Sequence, residues 1–393
     1  MVVGRILPLA SAWLTIFFVY LLTIIISPLL YLIIGQLHLT FFEAGLVIVA
    51  PVTVLVFLSV LGGLLGDKYQ IKWLIAFAIG IMGLGSFLRG FATSFATLLL
   101  FSIIIGIGIA LIYPNLPKMV RFVFPSELSG TATGVYSTGV ATGSSMGLAI
   151  ANPWLLSILG SWREISIYLG IFTMIPLLVW LAFAPNIRNL ESQFQNRKMS
   201  SGFVSVIKSK STILSSVLLL LLNAVFYGLI GWLPTFLQIV PDFHQANLLS
   251  STMTAAEIPG LFLLPFFSDR VGLRRPFLAM FFGALGLSSV GMITLPSEYL
   301  WFIVPLAGFS MGGLFSILLT LPTELVEKKY VGMTAGIMLS IGYVGALVGA
   351  PLTGFLKDMT GQLYFAFVAF FAFSALACVL VLVLPETGRR SLR

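Results

Sequence analysis

Glu257 is the residue whose chemistry stands out first. It lies ten residues into an otherwise apolar run at 247–267. At ~1.5 Å per helical residue that is about 15 Å deep, close to the centre of a ~30 Å hydrocarbon layer. A carboxyl at that depth costs roughly 3 kcal/mol on insertion scales, and such residues usually face a protein interior and carry function. Two functions suit it: taking up and releasing a proton as a solute moves, or attracting a cationic substrate. The structural alternative is a neutral Glu hydrogen-bonded to a neighbour and serving packing alone. No Lys or Arg is expected at matching depth in any other apolar run.

A second chemical pattern is written twice. Gly62-Gly63-Leu64-Leu65-Gly66-Asp67-Lys68-Tyr69-Gln70-Ile71-Lys72 recurs as Phe266-Phe267-Ser268-Asp269-Arg270-Val271-Gly272-Leu273-Arg274-Arg275, with Asp67 and Asp269 standing 202 residues apart (269 − 67). The same offset carries Gly130-Thr131-Ala132-Thr133-Gly134 onto Gly332-Met333-Thr334-Ala335-Gly336, then Gly143 onto Gly345 and Gly147 onto Gly349. A constant offset over that length implies two halves of one fold, which in a membrane chain points to a transporter built on internal symmetry.

The elements that must hold these residues are membrane helices. Apolar residues make up 59% of the chain and charged residues 9%, against about 25% charged in a soluble domain. At 393 residues the chain accommodates about twelve spans of ~20 residues with short connections. Those spans are expected at 12–34, 43–66, 73–91, 95–119, 131–155, 162–184, 212–239, 247–267, 276–295, 299–322, 331–355 and 361–384. The fold class is an all-α membrane protein with twelve transmembrane helices in two pseudo-symmetric six-helix bundles. Residues 1–184 form the N-terminal bundle, 185–211 a polar cytoplasmic linker with a short surface helix near 201–209, and 212–393 the C-terminal bundle.

The formal net charge of +8 could signal nucleic acid, but its distribution decides against that. Of 21 Lys and Arg, all but Arg89, Arg163 and Lys357 fall in connections on one side. Such asymmetry orients a protein with that side cytoplasmic, so both termini are cytoplasmic. The expected setting is multi-pass in the cell (plasma or inner) membrane, as a monomer with the lipid bilayer and a small-molecule substrate as partners. The run at 12–34 is too long for a signal-peptide core.

Cys378 is the single cysteine, so no internal disulfide forms. His38 and His244 lie far apart in outer loops. No His/Cys metal spacing, Ser/His/Asp set or phosphate-cradling glycine loop occurs, so no cofactor, metal or enzyme chemistry is expected. Glycines at 134, 139, 143 and 147, and at 336, 342, 345 and 349, permit close helix crossings, expected here with partners from the opposite half. Pro114 and Pro117, bracketing Asn115, are hinge candidates. Trp13, Trp73, Trp154, Trp162 and Trp301 read as interfacial belt residues.

At the duplicated loop the chain resembles the major facilitator superfamily of secondary transporters, whose pattern there is Gly-x-x-x-Asp-Arg/Lys-x-Gly-x-Arg/Lys. The first copy supplies Gly63, Asp67, Lys68 and Lys72, with Gln70 where Gly is usual. The second supplies Asp269, Arg270, Gly272 and Arg274, with Pro265 where the leading Gly is usual. Leu116-Pro117-Lys118, Phe124-Pro125-Ser126-Glu127 and Gly231-Trp232-Leu233-Pro234-Thr235 are similar to the anion:cation symporter and cyanate- or nitrate-type branches. Ser102 stands four residues before Gly106-Ile107-Gly108, where many members carry Arg. Gly143-Ser144-Ser145-Met146-Gly147 lacks the Pro of exporters.

The resemblance implies rocker-switch alternating access. It makes Asp67, Lys68, Lys72, Asp269, Arg270 and Arg274 a conformational latch, with each Asp accepting amides at a helix N-terminus. It also lines a cavity with helices one, four, seven and ten, making Tyr20, Thr23, Ser27, Tyr113, Asn115, Asn223, Tyr227, Trp232, Ser310 and Ser316 candidate substrate contacts. Asn223 serves equally as helix–helix glue. With no mid-membrane arginine expected, a neutral solute, a cation or a small weak acid fits better than a multiply charged anion. The leading function is proton-coupled symport through Glu257. An efflux antiporter for amphipathic or cationic compounds is the alternative, and a non-transporting membrane sensor the second.

Overall fold

In hydrocarbon every backbone N–H and C=O must find its partner within the segment, and the apolar runs accordingly coil into helices. A computed structural model describes residues 3–186, 209–239, 245–326 and 331–387. The expected surface helix near 201–209, and most of the 185–211 linker, lie outside the described residues.

In the first half, α1 runs Val3–Ile24, turns through a 3-10 segment at Ser27–Leu29 and restarts at Leu30–Leu37. Then come α2 (Phe41–Lys68), α3 (Ile71–Arg89), α4 (Phe95–Ile112, restarting at Leu116–Val123), α5 (Ser126–Ile150, ending in a π turn at Ala151–Leu156) and α6 (Trp162–Phe172 with Met174–Phe183). In the second half are α7 (Lys210–Ile239), α8 (Ala246–Val271), α9 (Arg275–Thr294), α10 (Leu300–Leu325), α11 (Val331–Thr360) and α12 (Tyr364–Val383). Among the described residues, eleven helical stretches are long and apolar enough to cross a membrane. The twelfth, α5, is 25 residues long but dilutes its hydropathy with Gly, Ser and Thr.

The described chain divides into two compact units. One takes residues up to Leu39 and then Leu46 onward through α6; the other takes Thr40–Gly45 and everything from α7 on. The first turn of α2 therefore belongs with the second unit.

The glycine-rich faces correct one expectation: each packs within its own unit. A Cβ at Gly139 or Gly143 would come 2.8 or 2.3 Å from the carbonyl oxygens of Trp13 and Phe17 on α1. In the second unit a Cβ at Gly345 or Gly349 would come 1.9 or 2.0 Å from those of Leu220 and Ala224 on α7. The first and fifth helices of each half thus meet backbone to backbone. Small residues allow this where lipid is as apolar as the side chains and packing contact has to drive association. Gly134 and Gly336 meet nothing within 4 Å.

Two tryptophans depart from the belt. Trp162 is fully buried and donates to Gln36 Oε1 at 2.8 Å, while Trp13 ties α1 to α5 through Thr138 Oγ1 at 3.0 Å. Trp73, Trp154 and Trp301 are exposed.

Candidate functional site

In the first unit the two breaks, in α1 and α4, hold the polar side chains. The Tyr20 and Tyr113 hydroxyls lie 2.5 Å apart, joining the middle of α1 to the break in α4. Thr23, buried, donates to Val19 O of its own helix at 2.7 Å, and Ser27 is buried in the 3-10 turn.

Asn115 repairs the α4 break. Its amide N–H bonds to Ile112 O instead of Leu111 O. Its side-chain Nδ2 then donates to the Leu111 carbonyl at 2.8 Å and to Gly62 O of α2 at 2.9 Å. A Cβ at Gly66 would overlap the Asn115 amide, so that glycine is what lets α2 approach. Asn115 thus joins α4 to α2 through Nδ2, while its Oδ1 is buried with no partner among the described residues.

Sequence reasoning missed Arg89. Placed by expectation among outer-side cations, it is instead buried at the C-terminal end of α3. There it donates from Nη1 to Leu22 O and from Nη2 to Ser102 Oγ, each at 3.1 Å. The signal available was Ser102, standing where chains of this type often carry Arg.

In the second unit Glu257 is buried on α8, and its Oε1 has no hydrogen-bond partner among the described residues. Helix α10 approaches it through glycine: a Cβ at Gly312 would fall 2.3 Å from the Glu257 carbonyl oxygen. Asn223 donates to Gly342 O of α11 at 3.1 Å, and Trp232, fully buried, donates to Ala350 O at 2.8 Å. Both side chains bind α7 to α11. Tyr227 is buried against Phe226, Ser310 donates to Leu306 O of its own helix, and Ser316 is half-buried.

The duplicated aspartates sit in the last turns of α2 and α8, because both helices run further than the hydropathy boundary. A carboxylate opposes the negative pole of a helix C-terminus, and each is met by a cation. Asp67 binds Lys118, which also donates to Gly63 O at 2.7 Å. Asp269 binds Arg274 at 2.6 Å, and Arg274 also binds Glu324 of α10 at 2.7 Å. Burial alone would lower the Arg274 pKa, but Glu324 and Asp269 together raise it above arginine's ordinary value. Glu386 accepts the amides of Arg274 and Arg275 at 2.6 and 3.1 Å, closing the start of α9. Lys68 lies over the Tyr69 ring, while Lys72 is half-buried and Arg270 exposed.

Duplicated helical halves, a buried carboxyl in one and a buried guanidinium in the other define a multi-pass membrane transporter of small solutes. The Major Facilitator Superfamily family model matches residues 12–304 and 239–393, and the chain belongs to that family. It is 24% identical over 364 residues to the cyanate transport protein CynX of Escherichia coli (strain K12), covering 91% of each chain. It is 25% identical over 342 residues to the 2-nitroimidazole transporter of the same strain, covering 86% of this chain and 84% of that one. Its fold matches a solved bacterial homologue of the human lysosomal transporter Spinster with a TM-score of 0.80 at 16% identity, over 96% of each chain.

Proposed function

We propose that this chain is a proton-coupled symporter that moves a small weak acid across the cell membrane by rocker-switch alternating access. Glu257 carries the reading. A carboxyl in the membrane interior, with one oxygen lacking a partner among the described residues, is a group that can take a proton in one state and release it in another. Cyanate and 2-nitroimidazole, named for two relatives, are both small and ionisable, which supports a weak acid over the neutral or cationic alternatives.

On this reading Tyr20, Thr23, Ser27, Tyr113, Tyr227, Ser310 and Ser316 face the solute, while Asn115, Asn223 and Trp232 hold the helices that carry them. The loop charges Asp67, Lys68, Lys72, Asp269, Arg270 and Arg274 act as the latch. The protein works as a monomer with both termini cytoplasmic.

The test is uptake of cyanate and 2-nitroimidazole into proteoliposomes under an imposed proton gradient. Wild-type protein accumulates solute when the outside is acid; Glu257→Gln equilibrates it without accumulation. Gradient-driven accumulation that survives Glu257→Gln would refute the coupling role.

A further inference from the structure

Arg89 is the last residue of α3, where a cation ordinarily stretches outward to the membrane interface. Its side chain does the opposite. Helical Cα–Cβ bonds tilt towards the helix N-terminus, and the Arg89 guanidinium follows that tilt into the bundle, ending 1% exposed between α1 and α4. Both of its partners, Leu22 O and Ser102 Oγ, are neutral, and Nε has no partner among the described residues.

Among the described residues no acid pairs with the charge. None of the ion pairs among the described residues involves Arg89. Asp67 is bound to Lys118 at the opposite end of α3, and Glu164 is exposed at the start of α6. Of the remaining acids of the first half, Glu43 accepts from Thr40 N in the first turn of α2, and Glu127 and Glu191 follow the far ends of α4 and α6 in the chain. A buried guanidinium facing only neutral acceptors is costly, and ionisable groups kept inside a membrane bundle mark solute pathways.

We propose that Arg89 is the counter-charge for a monovalent anionic solute, whose oxygen or nitrogen accepts from the guanidinium between Ser102 and the break in α1. The proposal rests on the transporter reading above and gives its substrate a sign. One cation without a counter-ion matches one negative charge. The break at Ser27–Leu29 is the joint at which the outer piece of α1 moves aside to admit the anion. Ser102 also has its explanation here: the charge absent from its own position is delivered by α3, with Nη2 resting on the serine oxygen.

The experiment uses the purified full chain in detergent. Its melting temperature is followed against sodium cyanate and sodium benzoate, with neutral benzamide as control and ionic strength held by sodium sulfate. The two anions should raise the melting temperature by mass action and benzamide should not. Arg89→Gln should weaken the apparent affinity about 30-fold or more, as expected when one partner of a buried charge pair is truncated, and Arg89→Lys should restore part of it. Ser102→Asp places an internal carboxylate on the guanidinium; it should keep the fold and lose the anion response, which covers the case of Arg89→Gln failing to fold. An undiminished response in Arg89→Gln or Ser102→Asp overturns the proposal, as does a wild-type response to benzamide equal to that for benzoate, or no response to either anion. Glu257→Gln separates the two readings: gradient-driven accumulation that survives in that variant, with an intact anion response, unseats the coupling role of Glu257 alone.

Discussion

The Asp358 carboxylate takes the first two amides of α2, Phe41 N at 3.0 Å and Phe42 N at 2.8 Å. Thr40 and Glu43 close the same turn reciprocally, Thr40 N donating to Glu43 Oε2 at 2.9 Å and Glu43 N to Thr40 Oγ1 at 3.1 Å. Four N-terminal donors that would otherwise lack helix partners are thereby satisfied, two of them by the Asp358 carboxylate of α11. Phe41 packs against Trp232 with the rings tilted by 32° and centroids 5.6 Å apart, and Lys357 Nζ lies 5.5 Å from the Phe41 centroid.

Asp358→Ala removes the acceptor for two of these amides. Loss of such a cap costs on the order of 1 kcal/mol, so the melting temperature should fall by a few degrees. Asp358→Asn, which keeps one oxygen acceptor, should lose less. Equal melting of Asp358→Ala and wild type would show the cap to be idle.

The seam between α7 and α11 tolerates no side chain at Gly345, where a Cβ would sit 1.9 Å from Leu220 O. Gly345→Ala should destabilise the protein by roughly 1–3 kcal/mol through overpacking. Gly336→Ala, on the same helix and facing open space, should be neutral or slightly stabilising, because Ala is the better helix former. Thermal melts of the pair provide the comparison.

Asn115→Ala strands the Leu111 and Gly62 carbonyls that now accept from Nδ2. Buried groups left without a partner cost about 1–3 kcal/mol each, and the α4 break should loosen. Faster amide hydrogen exchange through 109–119 than in wild type is the expected reading.

Arg274 binds two carboxylates in one network, Glu324 mostly shielded and Asp269 largely exposed. Arg274→Gln should cost about 1–3 kcal/mol, the exposed half contributing little. The sign of the pH dependence follows from the shift: a cation whose folded-state pKa is raised stabilises fully below its unfolded value and loses that only as pH climbs through the folded one. Both values lie far above neutrality for Arg274, so the melting difference between variant and wild type should stay flat from about pH 6 to 9.

How much of this was legible in the residues varies with the kind of interaction. The burial of Glu257 was legible from its place in an apolar run, since a carboxyl there is expected to face the protein interior, as it does. The duplication was read from a constant offset, and the structure gives that offset a physical form: α1 crosses α5 as α7 crosses α11. The partner of those glycine faces was misassigned because spacing shows that a backbone is bare, not which helix will lie against it.

What the sequence determined alone is the helical membrane class, the internal repeat and a carboxyl set within an apolar run, because these depend on composition and period along the chain. Only the tertiary structure decided where Arg89 points and that Asn115, Asn223 and Trp232 each donate a side-chain N–H to a neighbouring helix. A side chain at a helix end can turn outward to water or inward to the bundle at the same residue number. The choice between them depends on whether another helix offers an acceptor, as Leu22 and Ser102 do for Arg89.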